Sequence, residues 1–177
     1  MKKILVLFLL GAMVFSCSKP TKRVLPKDWS EVTKSGCYLQ FPNSWEVDTS
    51  GIMSTSILLF SPLENELDRF KENVNLIIQD NSVQKLSLDS FTNFSLSQIK
   101  ALISPDKDIP VEKIEIAGLV CNKLVFSASQ GSINLRVNQY YLIHKKLIYI
   151  LTFTCESDKY EKFKTEGESI IQSFFIN

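Results

Sequence analysis

The residues able to do chemistry are few and far apart along the chain. His144 is the sole histidine, set beside Lys145 and Lys146 in a turn between two strand-like runs, where imidazole faces water. A nucleophile for it would have to be a Ser or Cys within hydrogen-bond reach. Cys155 lies nine residues beyond Lys146, about 30 Å along a strand at roughly 3.3 Å per residue. That separation removes a nucleophile–base pair. No G-x-S-x-G, P-loop, G-x-G-x-x-G or paired-acid motif occurs, so no catalytic residue is assigned and no enzyme activity is expected. Arg136, Tyr140, Tyr141 and Tyr149 are the candidates for a binding surface, because Tyr and Arg anchor interfaces well. Alternation along a strand sends one of each neighbouring Tyr pair under a helix and leaves the other outward.

The N-terminus carries a different chemistry. Lys2 and Lys3 precede an unbroken apolar run from Ile4 to Phe15, the layout of a secretory signal. Twelve helical residues rise about 18 Å, short of the roughly 30 Å hydrocarbon core, so a permanent membrane span is disfavoured. Val14, Phe15 and Ser16 lead into Cys17 in a pattern that resembles the lipobox of bacterial lipoproteins. The expectation is a signal peptide over residues 1–16, removed to leave Cys17 as the lipidated N-terminus. Each buried methylene contributes about 0.8 kcal/mol, so two or three acyl chains on that residue anchor a domain stably where one would not. Ser18 follows Cys17 in place of the Asp that marks inner-membrane retention, and no acidic run follows it. The expected location is therefore the outer membrane, on its periplasmic side.

In that compartment disulfides are allowed, and Cys37, Cys121 and Cys155 remain. Turns near residues 130 and 145 would put Cys121 opposite Tyr140 and Tyr140 opposite Leu151. Cys121 and Cys155 are then about 16 Å apart, beyond the roughly 7 Å limit for bridged Cα atoms. Pairing of Cys37 with either partner stays open, and buried free thiols are the favoured reading. No C-x-x-C knuckle supports a metal site, and no cofactor is expected.

Without Lys2 and Lys3 the 20 basic residues become 18 against 19 acidic ones, a net charge of −1. Such a balance carries no basic stripe for nucleic acid. With 45% hydrophobic and 11% aromatic residues, the chain is ordinary globular material for one domain. Residues 17–33 are polar, hold Pro20 and Pro26, and read as a tether, with residues 34–177 as the domain.

Within that domain Cys37 to Phe41 is strand-like and turns at Pro42 and Asn43 toward Trp45 to Val47, which reads as a hairpin. Ile57 to Phe60 and Val74 to Asp80 read as strands, with a short helix over Leu63 to Phe70 between them. Ser87 caps a helix from Leu88 to about Ile103, with Leu88, Phe91, Ile99 and Leu102 on its apolar face and Pro105 beyond its end. Val111 to Cys155 is a meander, and a last helix runs from Asp158 to about Phe174 with Ser157 as its cap. The fold class is α+β, an antiparallel sheet of about six strands with two helices packed on its faces.

The order of Phe41-Pro42-x-x-Trp45, then Asp68 to Leu76, then the Ser87-capped helix, meander and closing helix into Ser173-Phe174-Phe175 resembles PsbP/DcrB-like domains over Gly36 to Phe175. Phe70, Glu72, Asn73, Val74 and Asn75 carry the sharpest part of the resemblance. It implies an α/β/α sandwich. Members include lipoproteins and photosystem accessory subunits, so the resemblance implies little about chemistry. Glu72, Asn73 and Asn75 are read as structural, with Asn73 and Asn75 bonding local backbone where the loop enters its strand. The functional expectation is a membrane-anchored, non-catalytic protein that binds a protein or another envelope component. The alternative is a carrier of a small apolar ligand held between sheet and helices.

Overall fold

The computed structural model describes residues 25–103 and 108–177. Residues 1–16, Cys17 and most of the tether lie outside the described residues, as does Pro105. The elements in chain order are β1 (Trp29–Lys34), β2 (Cys37–Pro42), β3 (Glu46–Asp48), β4 (Ile57–Phe60), β5 (Asn73–Asp80) and α1 (Leu88–Ile103). They continue with β6 (Val111–Ile116), β7 (Leu119–Gln130), β8 (Ile133–His144), β9 (Leu147–Glu156), α2 (Tyr160–Gln172) and β10 (Phe175–Ile176).

Seven strands form one antiparallel sheet in the order β3-β4-β5-β9-β8-β7-β6, and three form a second in the order β1-β2-β10. The large sheet is amphiphilic on neither side. Its strands send alternate residues to two apolar cores, which is why β8 and β9 are rich in Tyr, Ile, Leu and Phe throughout rather than at every second position. One core lies under α1 and includes Phe91, Leu124, Phe126, Val137, Tyr141 and Ile150. The other lies under α2 and the small sheet and includes Leu39, Trp45, Leu76, Tyr140, Phe153, Ile170 and Phe174. The layers are therefore α1, the seven-stranded sheet, then α2 with the three-stranded sheet, the expected α+β sandwich with one strand more than predicted in the main sheet. The β6–β7 turn is two residues long because Ala117 and Gly118 both take positive φ, 54° and 74°. That is the backbone a tight hairpin turn needs.

Several local expectations differ. Trp29 to Thr33, expected as the end of the tether, instead form β1 together with Lys34, paired along its whole length with β2. The predicted hairpin from Cys37 to Val47 does not form, since β2 pairs with β1 and β10 whereas β3 crosses to pair with β4. The chain there links two sheets. Leu63 to Phe70 is irregular, because Asn65 and Asp68 carboxamide and carboxylate oxygens accept the backbone N–H groups of Leu67, Glu64 and Phe70. Such bonds compete with a helix.

Ser87 does cap α1, accepting the Ser90 N–H at 3.1 Å. Leu102, placed by periodicity on the buried face, is 86% exposed at the end of that helix. Ser157 does not cap α2; its N–H is used by the Asn134 carbonyl, and the helix starts after Lys159 without a side-chain cap. Cys121 faces Leu142 rather than Tyr140, a shift of two residues set by the Gln130–Ile133 pairing. Cys37, Cys121 and Cys155 are all free and buried.

Candidate ligand-binding cleft

The four residues expected to form a surface are dispersed by the fold. Tyr141 points to the α1 side, edge-on to Phe91 with ring centroids 5.3 Å apart. Tyr140 and Tyr149 point to the opposite side, Tyr149 tilted against Phe174 at 5.7 Å. All three are at most 3% exposed, so they are core residues and not a docking face. Burial pushes the Tyr141 phenol up to about 12 and raises that of Tyr140, to which the charge of Glu168 adds. Arg136 is half-buried over the Tyr160 ring at 5.8 Å, with Nη1 donating to Ser127 Oγ at 3.3 Å. Alternation correctly separated Tyr140 from Tyr141, but both faces of this sheet are covered. His144 ends β8 opposite Leu147, at the other end of β9 from Cys155. Among the described residues no group of three or more His, Cys, Asp or Glu is placed to hold a metal ion.

A polar cluster forms where the loop after β4 returns to the sheet. Glu72 is fully buried and accepts from Ser61 Oγ at 3.2 Å, with the Cys155 thiol 3.8 Å from its other oxygen. Asn73 Nδ2 donates to the Lys71 carbonyl at 3.2 Å, the local backbone role expected of it. Lys159, at the foot of α2, joins Asp68 at 2.7 Å and Glu156 at 2.5 Å. Burial alone would lower the Lys159 ammonium pKa, but its bonds to Asp68 and Glu156 and the charge of Glu72 raise it above its ordinary value. The Lys159 hydrogen bond holds Asp68 below the usual carboxylate range. Burial, then the Glu72 charge, raises the Cys155 thiol, so it stays protonated and is no nucleophile. The cluster fastens the loop to the sheet.

On the α1 side the packing is uneven. Asn122 on β7 donates through Nδ2 to Thr92 Oγ1 at 2.9 Å and to Asp89 Oδ1 at 3.0 Å, pinning the first half of α1 to the sheet. Toward its C-terminus the helix passes over Ala128, a side chain too small to fill the space beneath it. The result is an open cleft of about 920 Å³ between Ile99, Leu102 and Ile103 on one side and Phe126, Ala128 and Gln139 on the other. Its lining also includes the polar residues Ser127, Ser129, Asn134, Gln139 and Ser157, of which Gln139 receives the Tyr141 hydroxyl at 2.6 Å and donates to Thr152 Oγ1 at 3.3 Å. Among the described residues no ionised side chain lines it. The volume falls within the roughly 300–1,000 Å³ usual for small-molecule sites. Sequence reasoning offered a pocket between sheet and helices as its alternative but named no lining residue, although the signal was present: Ile99 and Ile103 recur at helical spacing opposite a strand whose inward positions shrink from Phe126 to Ala128.

No family model and no curated protein matches the chain. Solved structures do. The cyanobacterial PsbP protein CyanoP from Synechocystis sp. PCC 6803 superposes with a TM-score of 0.57 at 12% identity, over 90% of this chain and 98% of that one. LpqN of Mycobacterium tuberculosis, described as involved in cell envelope biogenesis, gives 0.56 at 13% identity over 84% and 91%. A Bacteroides thetaiotaomicron structure gives 0.56 at 11% identity over 85% of this chain, which spans 49% of the length of that protein. Together they establish a PsbP-like fold for this chain.

Proposed function

We propose that this chain is a lipid-anchored envelope protein, tethered through Cys17 on the periplasmic side of the outer membrane, whose PsbP-like domain binds a small apolar ligand without transforming it. The observation that carries the ligand reading is the cleft between α1 and the sheet, open, lined by no ionised side chain among the described residues, and about 920 Å³ in volume. The envelope location draws on the lipobox-like residues before Cys17 and on the description of LpqN. No helix among the described residues is long and apolar enough to cross a membrane. A protein partner is the second reading, and it loses ground because the tyrosines that motivated it are buried.

The test is uptake of a fluorescent polyene fatty acid by the purified protein, followed by competition with a non-fluorescent one. Saturable binding near one equivalent is expected, weakened at least tenfold by Ala128→Phe, which fills the cleft. Binding that never saturates, or that ignores the substitution, would sink the reading.

A further inference from the structure

We propose that the end of the domain where the cleft opens is a bilayer-docking surface, built from Leu63 and Leu67 of the loop after β4 and Leu102 at the end of α1. The inference rests on the proposed tether and names the partner of that same end, the lipid of the anchoring membrane. The three leucines are 46%, 87% and 86% exposed. Single exposed apolar residues are ordinary, so their shared position is what matters.

Their position follows from the hydrogen-bond map. Phe60 pairs with Asn73, and Ser61 N–H donates to the Glu72 carbonyl, so the loop holding Leu63 and Leu67 projects from the end of the sheet at which β4 stops and β5 starts. Lys159 ties Asp68 of this loop to Glu156, the last residue of β9, and the next residue, Ser157, lines the cleft together with Leu102. The chain also enters here. Trp29 pairs with Pro42 and the Asn43 N–H donates to the Asp28 carbonyl, while Glu46 pairs with Phe60 and meets Lys71 at 2.8 Å.

Two further features fit a lipid surface as occupant. Seven residues separate Cys17 from Leu25, the first described residue; fully extended, the eight steps between the two reach at most about 28 Å. A lipid on Cys17 therefore holds this end, and not the opposite one, near the headgroups. Most of the acidic side chains at this end are also compensated: Glu64 pairs with Lys162, Asp68 with Lys159, and neighbouring Glu46 with Lys71, while Glu66 and Arg69 stay exposed. Pairing removes much of the repulsion that free carboxylates would meet at anionic headgroups. Docked in this way, the cleft mouth faces lipid, and an apolar ligand passes between bilayer and protein without crossing bulk water.

The experiment uses residues 18–177 with an N-terminal hexahistidine in place of the lipid, held on phosphatidylcholine–phosphatidylglycerol vesicles by a nickel-chelating lipid. An environment-sensitive NBD dye is placed at Leu67→Cys or, as a reference, at Val83→Cys. Val83 is equally exposed at 87%, follows the far end of β5, and the native cysteines of the domain are buried from the label. The Leu67 dye is expected to brighten severalfold and shift to the blue on vesicles, with the Val83 dye unchanged, and Leu63→Asp with Leu102→Asp is expected to abolish the shift while capture by the tag persists. Equal behaviour of the two dyes, or a shift that survives the aspartates, overturns the proposal. Mass spectrometry of native Cys17 tests the tether separately, because the tag holds the chain on the vesicle whatever that mass proves to be.

Discussion

Gly167 lies so close to Phe153 that a Cβ at this position would stand 2.6 Å from two ring carbons. The ring has no room to withdraw, being fully buried and stacked on Tyr160 with centroids 6.2 Å apart. A glycine inside a helix costs about 1 kcal/mol relative to alanine, so its presence in α2 trades local helix stability for close approach of helix and sheet.

Gly167→Ala is accordingly predicted to destabilise the domain although alanine is the better helix former. Overpacking a filled core costs about 1–3 kcal/mol, which outweighs the propensity gain. At this chain length a net loss of about 1 kcal/mol lowers Tm by roughly 2–4 °C. Thermal unfolding followed by circular dichroism measures it. Adding Phe153→Leu should return part of the loss, and a double-mutant cycle with no coupling between the two positions would show that the contact is not the cause.

A second prediction concerns Lys159, whose side chain is 19% exposed against an Asp68 partner that is 2% exposed. Lys159→Met leaves Asp68 and Glu156 facing buried Glu72 without a cation. The loss is expected at roughly 2–4 kcal/mol, nearer that of a broken buried pair than the fraction of a kcal/mol typical of exposed ones. The pH dependence has two sides. Asp68 titrates below its unfolded value, so its contribution is present above the unfolded value of 3.8 and is lost as pH falls further. Lys159 titrates above its unfolded 10.5, so its contribution is complete below that pH and fades in strong alkali. Chemical denaturation at pH 7 and pH 3 should show the gap between wild type and Lys159→Met narrowing at the lower pH. A gap independent of pH would place the effect in packing by the lysine stem.

How far the sequence is legible depends on whether a pattern is local. The meander from β6 to β9 could be read because its alternation and turns lie within short windows, and the class of fold followed from it. The three-stranded sheet could not: β10 is two residues long and pairs Phe175 with Tyr38 and Ile176 with Cys37, a contact no local period encodes. β1 was hidden by Ser30, Glu31, Thr33 and Lys34, polar residues that leave the segment without an apolar period. Tyr140 and Tyr149 misled because a sheet covered on both sides has no outward set along its central strands. The cleft is a void left by small residues, and voids depend on how elements are placed. Only the narrowing from Phe126 to Ala128 announces it in the chain.

The last prediction concerns the thiols. Burial pushes Cys37 up to about 11 and Cys121 up to about 12, and it also raises Cys155. Reaction with a disulfide reagent requires thiolate and access, and these groups lack both at neutral pH. In the folded protein at pH 8 none of the three should react over an hour, and all should react at once in guanidinium. Cys17 makes the same assay informative about the anchor: full-length protein recovered from membranes should show no additional reactive thiol if its sulfur carries lipid, and one fast thiol if it does not. Because the folded values exceed the unfolded 9.0, the stability these thiols contribute is complete below pH 9 and declines as pH rises toward 11 and 12. Cys121→Ala should therefore flatten the alkaline fall in stability while costing some packing at pH 7, and an unchanged alkaline slope would assign that fall to the other buried thiols and phenols, Cys37, Cys155, Tyr140, Tyr141 and Tyr149, which burial also raises.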